Sequence, residues 1–358
     1  MRKISICLVV LSLVVPARSQ MQGRFSGLTY FDYYYNIERP ANQSLLSNAA
    51  VNGPKDLQGF QIRRLFFTYD DDLSKEFATK LRMDADQQAT TSDGRISFYL
   101  KDASLTWKNI FRGSNLCVGL QPTLPFEVIE SVWGFRSIEK TILDLRGLVS
   151  TRDMGVSLKG RMDEEDIIEY GILVGNNSAS KPSSTKYKRY YGQVVVKPIK
   201  NFILAMCADY NDRALAPDPY DIGLSVANGT LTGDVFAGLV DSGICNAGIE
   251  LSSGTTFHGY NNGITLGNLQ SIGISAFGSV HIHGLFTVVG RFDYFDPNVD
   301  ASARGDSRNY FMVGVAWNPI PAVSLIPNAL YEMYEAAPGG TNPSSSVTAR
   351  ITINYVFL

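Results

Sequence analysis

The sequence predicts an all-β fold, a transmembrane antiparallel up-and-down β-barrel of about 16 strands with an inward-folded third long loop. Three observations predict it. Strand-like segments with one apolar and one polar face recur along the chain. The connections between them alternate between long and short, as in a barrel with loops at one rim and tight turns at the other. Tyr and Phe gather at segment ends, as in "YFDYYY" (30–35), Tyr190-Tyr191 and Tyr355/Phe357, which suits aromatic girdles at two interfaces.

The chain begins with "MRKISICLVVLSLVVPARSQ". Arg2 and Lys3 precede an apolar run, Ile4 to Val15, that is too short to span a bilayer as a helix. Ala17-Arg18-Ser19 has the small-x-small form of a cleavage site, so residues 1–19 read as a signal peptide and 20–358 as a single barrel domain. Cleavage removes Arg2, Lys3 and Arg18 and no acid, which takes the net charge from -2 to -5. A mildly acidic exported chain argues against nucleic acid as a partner. Cys7 leaves with the leader; Cys117, Cys207 and Cys245 are scattered, with no metal-ligand spacing and no disulfide framework.

The mature chain shows no amphipathic helix and a succession of strand candidates. The early ones are "GRFSGLTYFDYYYNI" (23–37), "FQIRRLFFTYDDDL" (60–73), "EFATKLRMDADQ" (76–87), "SFYLKDASLTWKN" (97–109) and "SNLCVGLQPTLP" (114–125). The third sets the pattern. Phe77, Thr79, Leu81, Met83 and Ala85 share one parity, and Ala78, Lys80, Arg82, Asp84 and Asp86 the other. Next come "RDMGVSLKGRMD" (152–163), "IIEYGILVGNN" (167–177), "YKRYYGQVVVKPI" (187–199) and "NFILAMCADYND" (201–212). Then follow "TLTGDVFAGLVDS" (230–242), "GICNAGIELSSG" (243–254), "LQSIGISAFGSVHIH" (269–283) and "LFTVVGRFDYFD" (285–296). The last are "RNYFMVGVAWNPI" (308–320), "VSLIPNALYEMYE" (323–335) and "SVTARITINYVFL" (346–358), where Ile351 and Ile353 alternate with Arg350 and Thr352. Each is about as long as a tilted strand needs to cross hydrocarbon.

Long connections fall at 38–59, 88–96, 126–151, 178–186, 213–229, 255–268, 297–307 and 336–345. Short ones fall at 74–75, 110–113, 164–166, 198–200, 242–243, 284 and 319–321. A soluble sandwich has no reason to sort its loops this way. Only a closed barrel leaves no unpaired backbone edge in lipid. The apolar parity then faces outer-membrane lipid and the charged parity a watery lumen.

Several of these stretches resemble the phosphate-selective porin O and P family. They are "GFQIRRLFFTYDDDLSKEFATKLRMDAD" (59–86), "YLKDASLTWK" (99–108), "VGLQPTLPFEVIES" (118–131), "SIEK" (137–140) and "STRDMGVSLKG" (150–160). The terminal "ARITINYVFL" looks like a closing barrel strand, although such strands usually end in an aromatic residue and Phe357 here is penultimate. The resemblance is best over residues 22–175. It implies an outer-membrane barrel of sixteen strands, usually a homotrimer, that passes small hydrophilic solutes, in some members anions such as phosphate.

The longest connection, "FEVIESVWGFRSIEKTILDLRGLVST" (126–151), is the third long loop, which in sixteen-stranded porins folds into the barrel. It carries Glu127, Glu130, Arg136, Glu139, Lys140, Asp144 and Arg146 among Val132, Trp133, Ile138 and Leu143. An inserted loop would pack the apolar residues on the wall and aim the charges at the pore; an external loop could instead serve subunit contacts. On the wall, lumen parity selects Lys80, Arg82, Asp84, Asp86, Asp153, Lys159, Arg161, Arg291, Asp293 and Arg350, with Arg63 or Arg64 nearby. The pore candidates are therefore Arg64, Lys80, Arg82, Asp84, Glu127, Glu130, Arg136, Glu139, Lys140, Lys159, Arg291 and Arg350. A basic excess would concentrate anions, and Arg offers a fork of donors that fits phosphate or carboxylate. Paired along the wall, the same charges would only stiffen it.

No phosphate-cradling glycine motif or dinucleotide fingerprint is present, and no cofactor, metal or catalytic residue is assigned. His281-x-His283 is at most half a metal site, and His258 has no evident nucleophile and acid beside it. A passive channel leads the readings, ahead of a plugged surface-binding or structural barrel and of an outer-membrane hydrolase.

Overall fold

The computed structural model describes residues 23–41, 53–241, 243–300 and 305–357. The expected leader, 1–19, and Leu358 lie outside these residues. The first strands are β1 (Arg24–Glu38), β2 (Gln58–Asp72), β3 (Phe77–Thr90), β4 (Ile96–Phe111) and β5 (Ser114–Pro122). The third long loop follows, with helices α1 (Leu124–Trp133) and α2 (Ile142–Leu145). The wall resumes with β6 (Arg152–Arg161), β7 (Ile168–Gly175), β8 (Arg189–Ile199) and β9 (Phe202–Asn211). A two-residue hairpin, β10 (Ala216–Pro217) and β11 (Ser225–Val226), decorates the next loop. The last seven strands are β12 (Thr230–Asp241), β13 (Cys245–Asn261), β14 (Leu266–His283), β15 (Phe286–Asp296), β16 (Arg308–Ile320), β17 (Val323–Tyr334) and β18 (Ser346–Phe357).

Sixteen of these strands, all but β10 and β11, form one closed barrel in which each pairs antiparallel with its chain neighbours. The ring closes where β1 meets β18, with Phe31 opposite Ile353 and Tyr34 opposite Arg350. Closure gives every strand a partner on both sides, which removes the edge an open sheet would expose. The parity of the sequence then sorts the faces. Leu81, Val156, Val313 and Ile351 stand on the outside and are 45–55% exposed, while Asp84, Asp102, Asp153 and Asp293 on the inside are fully buried.

Three features depart from the sequence reading. Two connections at the loop rim are shorter than expected, because β3–β4 and β13–β14 continue as hairpins to turns at 91–95 and 262–265. At the second, Asn262 Oδ1 accepts from the amides of Ile264 and Thr265, and Gly263 takes the positive φ (89°) of the turn. The third loop contains the ten-residue helix α1 where no helix was expected. Pro125 suits the first helical turn, and Gly134 at φ 67° ends the helix by donating its amide to the Glu130 carbonyl. Phe126, Ile129, Val132 and Trp133 place the buried face at helical spacing.

Thirdly, β2 and β4 each carry a bulge. Tyr30 pairs with Arg64 while its neighbour Phe31 pairs with Ile62, so Arg63 is the extra residue in β2. Arg82 pairs with Asp102 while Met83 pairs with Leu100, so Lys101 is the extra residue in β4. A bulge lets two consecutive side chains face the same side. Both bulges thereby send a pair of charged residues inward, Arg63-Arg64 and Lys101-Asp102.

The outer face gives the first prediction. Replacing outward Leu81 by Arg should cost about 2–4 kcal/mol when the barrel assembles in a bilayer. Folding titrations into lipid vesicles would measure it; an unchanged midpoint would show that this face does not meet hydrocarbon.

Candidate pore constriction

The third loop lies inside the barrel and is closed at its neck. The Thr123 hydroxyl donates to the Ser150 carbonyl (2.6 Å), and the Thr123 amide donates to the Thr151 carbonyl (3.2 Å). Its apolar residues do not fill the centre evenly. Ile129, Val132, Trp133 and Ile138 pack on Val195, Ala205, Phe236, Phe277, Val289, Tyr310, Met312, Ile326 and Leu330, which belong to β8, β9, β12 and β14 to β17. Trp133 meets Phe277 edge-on at 5.0 Å and donates its indole N–H to the Glu139 carbonyl (2.9 Å). Leu124, Phe126, Leu143 and Val149 form a second cluster with Leu173, Tyr191 and Cys207. The loop is therefore plastered on one half of the wall.

Residues 137–140 have no strand to pair with, yet they cross the lumen. Three guanidinium groups from three strands supply their carbonyls with donors. Arg63 of β2 donates to the Ile138 (2.8 Å) and Ser137 carbonyls, Arg350 of β18 to Ile138 (2.6 Å), and Arg291 of β15 to Lys140. Each of the three is oriented by a wall residue. Asp32 accepts from Arg63 (2.5 Å), Asp293 accepts twice from Arg291 (2.7 and 2.5 Å), and Asn328 Oδ1 accepts from Arg350 (3.0 Å). Arg146 adds a buried pair with Glu332 at 2.7 Å.

On the other side of the lumen, β1 to β4, with the start of β6 and the end of β18, border a cavity of about 370 Å³ that the loop leaves open. Arg64, Arg82, Lys101, Arg136 and Arg152 line it, with Glu130 as the acid among the lining residues. The carboxylates that pair these cations sit behind them. Asp84 serves Lys101 (2.8 Å) and Arg64 (3.6 Å), and Asp102 serves Arg82 (3.3 Å) and Arg152. Both carboxylates have side chains at 0% exposure, whereas the four cations keep 9–23%. Positive charge thus faces the cavity and negative charge faces the wall. Across the gap, Arg136 bridges Glu130 (2.9 Å) and Asp144 (2.5 Å). Burial opposes charge on both Arg136 and Asp144, but it is outweighed. Asp144 and then Glu130 hold the guanidinium above its ordinary pKa, and Arg136 and then Lys140 hold the Asp144 carboxyl below the usual range.

The twelve candidates separate into distinct places. Arg64, Arg82, Glu130 and Arg136 line the open cavity, with Asp84 behind them. Arg291 and Arg350 are buried and hold the loop. Glu139 is buried and accepts from the Lys140 amide, while the Lys140 ammonium stands 3.7 Å from Asp144. Glu127 and Lys159 pair with each other beside a separate cavity of about 550 Å³ toward the short-turn end. Lys80 pairs with Asp70 at 3.5 Å, on the wall of β2 and β3. Parity reasoning did not select Lys101, Asp102 or Arg152. A signal for the first two was present: outward parity is even at Phe98 and Leu100 and odd at Ala103, Leu105 and Trp107. The slip between them requires a bulge, and Lys101-Asp102 fills it. The same slip, from Ile62 to Leu65, marks Arg63-Arg64. Arg152 opens β6 at the loop neck, where strand alternation gives no guidance.

Toward the loop rim a third cavity of about 740 Å³ is lined by Arg146, Arg189, Arg213, Arg308 and Asp144, and Thr151 lines it and the open cavity alike. His258 Nδ1 donates to the Ala227 carbonyl (2.6 Å), and His281 Nδ1 pairs with the Thr287 hydroxyl (2.7 Å).

The chain has the fold of the outer-membrane channel proteins. The outer-membrane channel DcaP of Acinetobacter baumannii superimposes with a TM-score of 0.67 at 11% identity, over 95% of this chain and 99% of that one. An anion-selective porin from Comamonas acidovorans gives 0.62 at 11% identity, over 94% and 100%. Salmonella typhi OmpF gives 0.60 at 9% identity, over 94% and 98%. At such identities the likeness is one of fold. No family model matches the sequence, and no curated protein matches it.

The packing of the loop yields the second prediction. Trp133→Ala should weaken its docking by about 3–5 kcal/mol. Hydrogen exchange of the amides of 135–148 should then quicken by more than about a hundredfold. Unchanged exchange would mean that the arginine clamps alone hold the loop.

Proposed function

We propose that this chain is an outer-membrane porin, exported by a cleaved signal peptide, through which small hydrophilic solutes diffuse passively and anions, phosphate among them, are favoured. The apolar outer belt supports lipid as its surroundings. The observation that carries the anion preference is the layering at the open cavity: four cations face water while Asp84 and Asp102, their carboxylates, are sunk behind them. A low-dielectric wall with one sign of charge toward the solvent focuses the field and raises the local concentration of the opposite ion.

The loop confines solutes to this half of the lumen. In this reading Arg64, Arg82, Lys101, Arg136 and Arg152 form the selectivity region. Arg63, Arg291 and Arg350 shape it by fixing the loop. Lys80, Lys159 and Glu127 act outside the narrowest part. Assembly as a homotrimer belongs to the same proposal; it is supported by an apolar groove on the outer face, where Phe31, Tyr33, Phe60, Ile62, Ile351 and Ile353 stand together.

The test is the reversal potential of single channels in planar bilayers under KCl and potassium phosphate gradients. Wild-type channels should favour anions. The double variant Arg64→Gln/Arg82→Gln should lower the anion-to-cation permeability ratio by at least about threefold. Lys80→Glu, whose ammonium already pairs with Asp70, should lower it less. Absence of conductance steps would overturn the channel itself, and a cation-favouring wild type would overturn the preference.

A further inference from the structure

Phe66 is an apolar ring on the inward face of β2, half-buried and lining the open cavity. Three cations from three strands converge on it. The guanidinium carbon of Arg64 lies 4.8 Å from the ring centroid, that of Arg82 4.9 Å, and the Lys101 ammonium 5.4 Å. Cations at such distances are attracted to the negative face of an aromatic ring.

The cluster needs that attraction. Among the described residues, Asp84 and Asp102 are the two carboxylates that Arg64, Arg82, Lys101 and Arg152 pair with on the wall. Two negative charges therefore serve four positive ones. A third carboxylate among them would relieve the repulsion but would cancel the charge offered to the cavity. A ring relieves part of the repulsion and cancels none, because it carries a quadrupole and no net charge. The bulges of β2 and β4 make the arrangement possible: Arg64 and Phe66 share one face of β2 after the first bulge, and the second turns Lys101 inward toward them.

We infer that Phe66 is a specificity-determining residue of the passage, acting as an uncharged counter-face that gathers Arg64, Arg82 and Lys101 while leaving their net positive charge to a passing anion. The inference rests on the anion preference proposed above. It predicts that removing the π face, without changing any charge, erodes selectivity. Leu and Met fill a similar volume and have no ring; Tyr keeps one.

Wild-type, Phe66→Leu, Phe66→Met and Phe66→Tyr barrels would be compared in planar bilayers under a KCl gradient. Flux of an uncharged sugar into vesicles would control for pore size. Leu and Met should lower the anion-to-cation permeability ratio by about two- to fivefold, the weight of one exposed cation–π contact. Tyr should preserve the ratio, and sugar flux should stay level in all four. An anion-favouring wild type with the same ratio in the Leu and Met variants overturns the inference and leaves the proposed function standing. A wild type without anion preference overturns both. Failure of Leu and Met alike to assemble, with Tyr intact, would make the ring a folding element and overturn the inference too.

Discussion

Backbone groups must find partners, and the architecture follows from how that demand is met. In the wall it is met by closure: β1 pairs with β18 and none of the sixteen barrel strands keeps a free edge. Inside the ring there is no strand for the third loop to join. Its helix, 124–133, satisfies its central backbone groups internally, and its neck is tied by Thr123 to Ser150 and Thr151. The turn at 136–138 and the residues after it take donors for the Ser137, Ile138 and Lys140 carbonyls from the side chains of Arg63, Arg291 and Arg350 instead. A cationic side chain that can place several N–H groups on neighbouring carbonyls does what a second strand would otherwise do.

That division of labour sets where positive charge is available. The arginines that reach the loop, Arg63, Arg291 and Arg350, are consumed by its carbonyls and by Asp32, Asp293 and Asn328. Arg64, Arg82, Lys101 and Arg152 on the open side have their carboxylates, Asp84 and Asp102, behind them. The apolar packing of Trp133, Val132 and Ile138 decides which side is which, because it fixes the loop to β8, β9, β12 and β14 to β17. Hydrophobic burial thus fixes the loop to one half of the lumen and leaves the cations backed by Asp84 and Asp102 facing the cavity on the other.

Much of the wall was legible in the sequence because period-two alternation is a direct image of which face is wet. Leu81, Val156 and Val313 show this on three separate strands. The inserted loop was legible from its length and its apolar content. The sequence concealed the helix within it, since a ten-residue amphipathic stretch among strands of similar hydrophobicity gives a weak signal and is fixed by Pro125, Gly134 and tertiary packing. The site was half legible. Arg82 and Asp84 follow from simple parity, but parity treats each strand as regular, so Lys101 and Asp102 escaped where β4 slips. Arg291 and Arg350 were rightly expected to point inward, and what they touch there depends on a loop more than a hundred residues away in the chain.

The placement of Asp84 and Asp102 at full depth, with their cations in front, separates what mobile ions can reach from what they cannot. The Debye length shrinks from about 10 Å at 0.1 M salt to about 3 Å at 1 M. Screening of that kind dims the field of Arg64, Arg82 and Lys101 in the water, while the ion pairs pressed into the protein go almost unscreened. On the proposed reading, the molecule would discriminate among solutes in dilute media and grow indifferent in brine, with its skeleton equally sound in each.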